Sequence, residues 1–128
     1  MIIKSLSLSD FRNFNKTEIQ FNDRLNILIG ENGHGKTNII EAIYLLTEGE
    51  SFRYSKNENL ISLTKTHASI QSNVISENLD YKITLKLSAS KKDLSINGKP
   101  ASLNNINKIS AVLFSPESLN VIKERSDE

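Results

Sequence analysis

Apolar and polar residues alternate from residue 2 to residue 9, with Ile3, Leu6 and Leu8 set against Lys4, Ser5, Ser7 and Ser9. A period near two belongs to a strand with one buried face. After the polar turn Asn13 to Lys16, the run Glu18 to Phe21 is shorter and of the same kind, and the pair predicts a hairpin at a sheet edge. Leu25 to Ile29 is apolar at nearly every position, as a central strand covered on both faces must be. The period then changes: Ile39, Ala42, Ile43 and Leu46 fall at i, i+3, i+4 and i+7, and Ile40, Tyr44 and Leu45 widen the stripe. This predicts a helix over Asn38 to Leu46, with Gly49 as its stop.

From Glu50 to Thr66 the pattern fades to a loop with a helical turn, marked by the apolar knot Leu60, Ile61 and Leu63. Strand-like alternation resumes over Ala68 to Ser76, Leu79 to Ser88 and Asp93 to Ile96, with turns at Ser76-Glu77-Asn78 and Ser88 to Lys92. Asn97-Gly98 is a strong two-residue hairpin signal because both residue types tolerate positive φ. The section reads as an antiparallel meander. Ile109 to Phe114 is again apolar without alternation, and Ser115-Pro116-Glu117 after it has the N-cap, first-turn proline and acid of a helix start, with Leu119 and Ile122 on its inner face.

Between the Leu25 strand and the first helix lies GENGHGKT, residues 30–37, which satisfies G-x-x-x-x-G-K-[ST]. With Gly at about 7% of residues, a chance match in a chain this long is roughly a one-in-a-few-hundred event. Each fixed position answers a demand of a phosphate chain. Gly30, Gly33 and Gly35 let the backbone turn tightly and bring successive N–H groups close to oxygens with no Cβ in the way. The helix that follows offers its unpaired N–H groups and positive dipole end. Lys36 is placed for the β- and γ-phosphates, and Thr37 offers a hydroxyl to Mg²⁺. His34 reads as a solvent-facing variable position within the loop.

Composition narrows the picture further. A chain of 128 residues is one domain or one lobe, and its net charge of +1 exerts no global pull on DNA or membranes, so any nucleic-acid surface must be local. Lys56, Lys65, Lys91, Lys92 and Lys99 stand in predicted loops where such a surface could assemble, although loop lysines also serve solubility alone. Phe52 and Tyr54, which flank Arg53, could stack on a base but read first as packing of the loop on the sheet. Without cysteine there is neither a disulfide framework nor a thiolate metal site, and His34 and His67 are too isolated for a metal cluster. No run approaches membrane-spanning length and no signal peptide opens the chain, so a cytoplasmic location is the expectation.

The segments Leu6 to Phe14, with its Phe11-Arg12-Asn13, Leu25 to Gly33, and Thr37 to Leu46 resemble the ABC-type ATPase heads of SMC-like DNA-maintenance proteins. Gly49 to Ser55 and Val112 to Leu119 resemble more closely the RecF family of bacterial recombination mediators. The resemblance runs from residue 2 to about 123. It implies an α/β fold, a P-loop NTPase of ABC-ATPase type, whose N-terminal lobe has a mixed sheet, a P-loop helix and an antiparallel β meander across residues 1–128. The family's Walker B acids, signature and switch histidine have no counterpart in the sequence, which therefore reads as the N-terminal part of a longer protein.

The resemblance further implies ATP and Mg as cofactors. It assigns Arg12, Asn13, Gly30, Asn32, Gly33, Gly35, Lys36, Thr37 and Asn38 to the nucleotide, Thr37 also to the metal, and Arg53 to nucleotide or DNA. By itself the Arg12 position also fits a solvated arginine at a strand end. Implied partners are double-stranded and gapped DNA, RecR with RecO and RecA, and a second copy in an ATP-dependent homodimer, with no membrane. Ser115-Pro116-Glu117 stands where many ABC heads carry a glutamine. Without a group that orients water, the chain is expected to bind ATP better than it hydrolyses it, and no catalytic residue is assigned. Two other readings share these features: another SMC-like DNA-repair head, and a non-catalytic lobe that binds DNA or a protein partner.

Overall fold

The structure, a computed structural model, describes residues 2–24, 26, 35–51, 53 and 55–102. In chain order these form β1 (Ile2–Phe11), β2 (Phe14–Gln20), α1 (Lys36–Glu48), α2 (Asn57–Leu60), β3 (His67–Ser76), β4 (Leu79–Ser88), β5 (Lys92–Ile96) and β6 (Lys99–Pro100). The strands make a six-stranded antiparallel sheet in the order β2-β1-β3-β4-β5-β6. The helical segment between β2 and β3 thus brings the chain back beside β1, so the first hairpin continues into the meander. The predicted strands at Leu25 to Ile29, apart from Asn26, and at Ile109 to Phe114 lie outside the described residues, as does the helix expected after Ser115. The expectation of a mixed sheet concerns those strands.

The first hairpin turns earlier and more tightly than the sequence predicts. Phe11 pairs with Phe14, which leaves Arg12-Asn13 as the loop, and β2 begins four residues before Glu18. As the outer strand of the sheet, β2 is exposed at Asn15, Lys16, Glu18 and Gln20, so its first half carries no apolar alternation to betray it. β1 itself is not at the edge, because β3 covers its other side. A bulge at Lys4 shifts the β1–β3 register between Ile3 and Ser5.

The core lies on one face of the sheet. Leu6 and Leu8 of β1, Ala68, Ile70 and Val74 of β3, and Ile83, Leu85 and Leu87 of β4 meet Ala42, Leu45 and Leu46 of α1 and the pair Leu60-Ile61. Each fully buried Leu or Ile contributes roughly 1.5–3 kcal/mol relative to exposure. The buried face of α1 is Glu41, Ala42, Leu45 and Leu46, whereas Ile39 and Ile43 only border the core and Ile40 is exposed. The helix is therefore rotated from the stripe its sequence suggests, and the rotation carries a carboxylate inside. The apolar knot splits likewise: Leu60 and Ile61 are buried, while Leu63 is 92% exposed. Gly49 ends α1 at φ 81° and donates its N–H to the Leu45 carbonyl at 2.9 Å.

Candidate nucleotide-phosphate site

Helix α1 starts at Gly35, whose φ of +99° lies in the left-handed region that side chains resist. A Cβ at Gly35 would stand 2.9 Å from Phe14 Cζ and 3.2 Å from Asn13 Nδ2. The β1–β2 turn therefore rests directly on the start of the helix, and glycine makes that approach sterically feasible. Side-chain capping is absent at this helix start. Lys36 is half-buried and Thr37 exposed in the first turn.

The turn is held in place from the other side. Arg12 has φ +52°, and its N–H donates to the Leu60 carbonyl at 2.8 Å. Its own carbonyl accepts from Ser62 Oγ at 2.6 Å, and the Ser62 N–H donates to the Asp10 carbonyl at 2.8 Å. Those contacts fix a strained backbone conformation and so determine where the Arg12 side chain starts.

That side chain meets a carboxylate inside the protein. Glu41 is 0% exposed, and Arg12 donates Nε to its Oε1 at 2.9 Å and Nη2 to its Oε2 at 3.2 Å. Arg53 reaches the same carboxylate from the segment after α1, through Nη2 to Oε1 at 3.0 Å and Nε to Oε2 at 3.2 Å. Ser51 Oγ completes the shell on Oε2. Outward from this centre, Arg12 Nη2 donates to Ser55 Oγ at 3.0 Å, and Arg53 Nη2 to Asn38 Oδ1 at 2.7 Å. Asn38 Nδ2 in turn donates to Asn13 Oδ1 at 2.8 Å. Every buried side-chain polar atom among the described residues has a partner, as a polar network in a low-dielectric setting requires.

Two guanidiniums thus share one buried carboxylate. Beside them lies a cleft of about 620 Å³ lined by Arg12, Asn13, Asn15, Asn38, Ser55, Glu58, Asn59 and Ser62, with Ile61 and Leu63 as apolar wall. The Arg12 guanidinium beside amide and hydroxyl groups offers N–H donors to oxygens, with the Glu58 carboxylate on the same wall. Of the sequence-predicted residues, Arg12, Asn13, Asn38 and Arg53 come together here by direct hydrogen bonds, and Gly35, Lys36 and Thr37 stand at the adjoining end of α1. Gly30, Asn32, Gly33 and His34 lie outside the described residues, as do Phe52 and Tyr54. Among the described residues no group of three or more His, Asp or Glu could hold a metal, and no helix is long and apolar enough to cross a membrane.

Glu41, Ser51 and Ser55 were not singled out by sequence reasoning. The available signal was an acid at position 41 with apolar residues one, four and five places on, at Ala42, Leu45 and Leu46, which places a charge inside a helical stripe. Among the loop lysines, Lys92 donates to the Gly49 carbonyl at 3.2 Å, and Asn57 bridges the Ser88 and Lys91 carbonyls at 2.9 and 3.1 Å. The β4–β5 loop therefore adjoins α2, and Lys56, Lys91 and Lys92 are all exposed there.

Residues 2–119 match the RecF/RecN/SMC N terminal domain family. The DNA replication and repair protein RecF of Alkaliphilus oremlandii is 40% identical over 134 residues, covering 100% of this chain and 36% of its own length. RecF of Clostridium acetobutylicum is 41% identical over 129 residues, covering 97% and 35%. The chain thus spans about a third of the length of the curated relatives it matches. Among solved structures, the recombination mediator protein RecF-ATP of the RecFOR pathway superposes with a TM-score of 0.86 at 31% identity, over 94% of this chain and 34% of that one. The SMC head domain from Thermotoga maritima superposes with a TM-score of 0.66 at 27% identity, over 84% and 41%. By this match over most of its length, and with the sheet and P-loop helix of an ABC-type ATPase lobe, the chain belongs to the RecF/RecN/SMC N terminal domain family.

Proposed function

We propose that this chain is the ATP-binding lobe of a RecF-like DNA-repair protein. The observation that carries the reading is the convergence of Arg12, Asn13, Asn38 and Arg53 on the first turns of the helix that follows Gly30-x-x-x-x-Gly35-Lys36-Thr37. The residues present fit a polyphosphate. Gly35 has no Cβ to fill the approach to the β1–β2 turn, the helix start has no side-chain cap, and the surrounding donors are cationic or amide. A relative solved as RecF-ATP supports the choice of ATP.

In this reading Lys36 and Arg12 neutralise phosphate oxygens, while Gly30, Asn32, Gly33 and Gly35 supply the backbone approach. Thr37 offers a hydroxyl to Mg²⁺ and Asn38 supports it, and the metal supplies charge neutralisation on the phosphates. The cleft walled by Ile61 and Leu63, with its Asn and Ser lining, accommodates the nucleoside half. Arg53 serves nucleotide or DNA. We assign binding, not hydrolysis, to these residues. The wider setting of this reading is duplex and gapped DNA, RecR with RecO, loading of RecA, and an ATP-dependent homodimer in a cytoplasmic, membrane-free setting; its support is that relatives are named a DNA replication and repair protein and a recombination mediator of the RecFOR pathway.

Calorimetric titration of Mg-ATP into the chain and its Lys36→Ala variant tests this. Saturable binding in the parent that weakens roughly 30- to 150-fold in the variant is expected, since removing a charged partner of a phosphate costs about 2–3 kcal/mol. Equal binding by both would discard the P-loop assignment. A second reading, a lobe whose main task is DNA binding, draws on the exposed Lys56, Lys91 and Lys92 around α2 and the β4–β5 loop. Its mark would be salt-dependent duplex binding that Lys36→Ala leaves unchanged.

A further inference from the structure

We propose that Asn57 is a positioning residue for the nucleoside side of the site: its amide ties the start of α2 to the β4–β5 loop and so sets where Glu58 and Asn59 stand in the cleft. The proposal rests on the nucleotide reading above, in which the cleft takes the nucleoside.

Helix α2 does not hold its own position. It has four residues, Asn57–Leu60, and helices shorter than about 12 residues are marginal in water without tertiary support. Its end is anchored from the core side. Leu60 is fully buried, its carbonyl accepts the Arg12 N–H at 2.8 Å, and Ser62 just beyond bonds to the Asp10 and Arg12 carbonyls. Its start has no such anchor in the core: Asn57, Glu58 and Asn59 bring it no apolar side chain, and Lys56 before them makes no side-chain cap.

The Asn57 side chain supplies the missing hold. Its Nδ2 donates to the Ser88 carbonyl at 2.9 Å and to the Lys91 carbonyl at 3.1 Å, so the two donors of one amide meet two acceptors of one loop. That loop is itself tied down. The Ser88 N–H donates to the Lys91 carbonyl at 2.9 Å, and Lys92 Nζ donates to the Gly49 carbonyl at the end of α1 at 3.2 Å. The start of α2 is thereby referred back to the P-loop helix through a side chain that does not itself line the cleft.

The lining indicates what this part of the cleft meets. Arg12 and Asn13 enter it from the β1–β2 turn, and Glu58 and Asn59 from α2. A carboxylate repels a polyphosphate, but it accepts hydrogen bonds from ribose hydroxyls and base amino groups, and the amides serve both donors and acceptors. The α2 side therefore suits the nucleoside, with the phosphates at the start of α1. Glu58 and Asn59 stand between two fixed points, Asn57 and Leu60, and releasing the first lets them swing about the second.

Asn57→Ala, titrated calorimetrically with Mg-ATP and with magnesium tripolyphosphate, which carries the anion and no nucleoside, tests this. The parent is expected to bind Mg-ATP more tightly than tripolyphosphate. Asn57→Ala should weaken Mg-ATP roughly three- to tenfold, the scale of one hydrogen bond lost to the nucleoside, and change tripolyphosphate by less than about twofold. Asn57→Ser keeps a donor for one of the carbonyls and carries the comparison if Asn57→Ala shows no cooperative thermal transition; a loss of roughly two- to fivefold for Mg-ATP alone is expected for it. Equal losses for the two ligands, or none for Mg-ATP, would make Asn57 a structural residue only and overturn the proposal while leaving the nucleotide reading intact. A parent that binds both ligands equally overturns it too, because the nucleoside is then not held in the cleft. Failure of the unmutated chain to bind either ligand overturns both readings.

Discussion

Gly35 concentrates two separate demands on one residue. Its φ of +99° would strain any side chain, and its missing Cβ leaves room for Phe14 Cζ, which would otherwise lie at 2.9 Å. Gly35→Ala is therefore expected to destabilise the chain by about 2–4 kcal/mol, the left-handed conformation contributing ~1–2 and the contact with a ring that must move the rest. Denaturant unfolding measures the total, and adding Phe14→Ala separates the parts. In the Phe14→Ala background the cost of Gly35→Ala should fall toward the conformational ~1–2 kcal/mol. An unchanged cost there would show that the ring gives way without penalty. The motif around Gly35 was legible in the sequence because phosphate chemistry constrains spacing. Its contact with Phe14 was not, because a residue-to-residue approach across twenty-one positions leaves no local pattern.

At the level of elements, two hairpins solve one geometric problem with different sequences. Ser76 pairs with Leu79 and Ile96 with Lys99, so Glu77-Asn78 and Asn97-Gly98 are both two-residue loops, and all four residues have positive φ. Such turns match the right-handed twist of the flanking strands and favour Asn-Gly. Both turns were readable in the sequence, the second the more strongly for that reason, whereas the first places a glutamate at φ +52°, where asparagine is better tolerated. Glu77→Asn is expected to raise unfolding stability by about 0.5–1 kcal/mol, visible as a higher denaturant midpoint with unchanged slope. A fall in the midpoint would mean that the contacts of the Glu77 side chain outweigh its backbone strain. The helix α1 shows the complementary limit of pattern reading. Its existence and its Gly49 stop follow from periodicity, but its rotation is set by Glu41, whose burial depends on Arg12 and Arg53 arriving from elsewhere in the chain.

For the molecule as a whole, the candidate site joins parts that the hydrophobic core does not join as tightly. The sheet, the inner face of α1 and the pair Leu60-Ile61 share one apolar cluster, while the β1–β2 turn, the start of α1 and Ser51, Arg53, Ser55 and Ser62 are linked mainly by polar contacts. A ligand held by these donors binds the folded arrangement and not the unfolded chain, so Mg-ATP at a hundredfold excess over its dissociation constant should add about 2.7 kcal/mol to unfolding stability. The gain has an address. Amide exchange should slow most at Arg12, Arg53 and Ser62, whose N–H groups bond to Leu60, Ser51 and Asp10 in the walls of the site. Amides of the β3–β4 ladder should slow only by the global increment, since they open with the whole fold. Stabilisation of the expected size with no added protection at Arg12, Arg53 and Ser62 would place the ligand away from this network. Protection confined to those three amides with no global gain would instead mean that the polar segments open independently of the core, and that the nucleotide orders them locally.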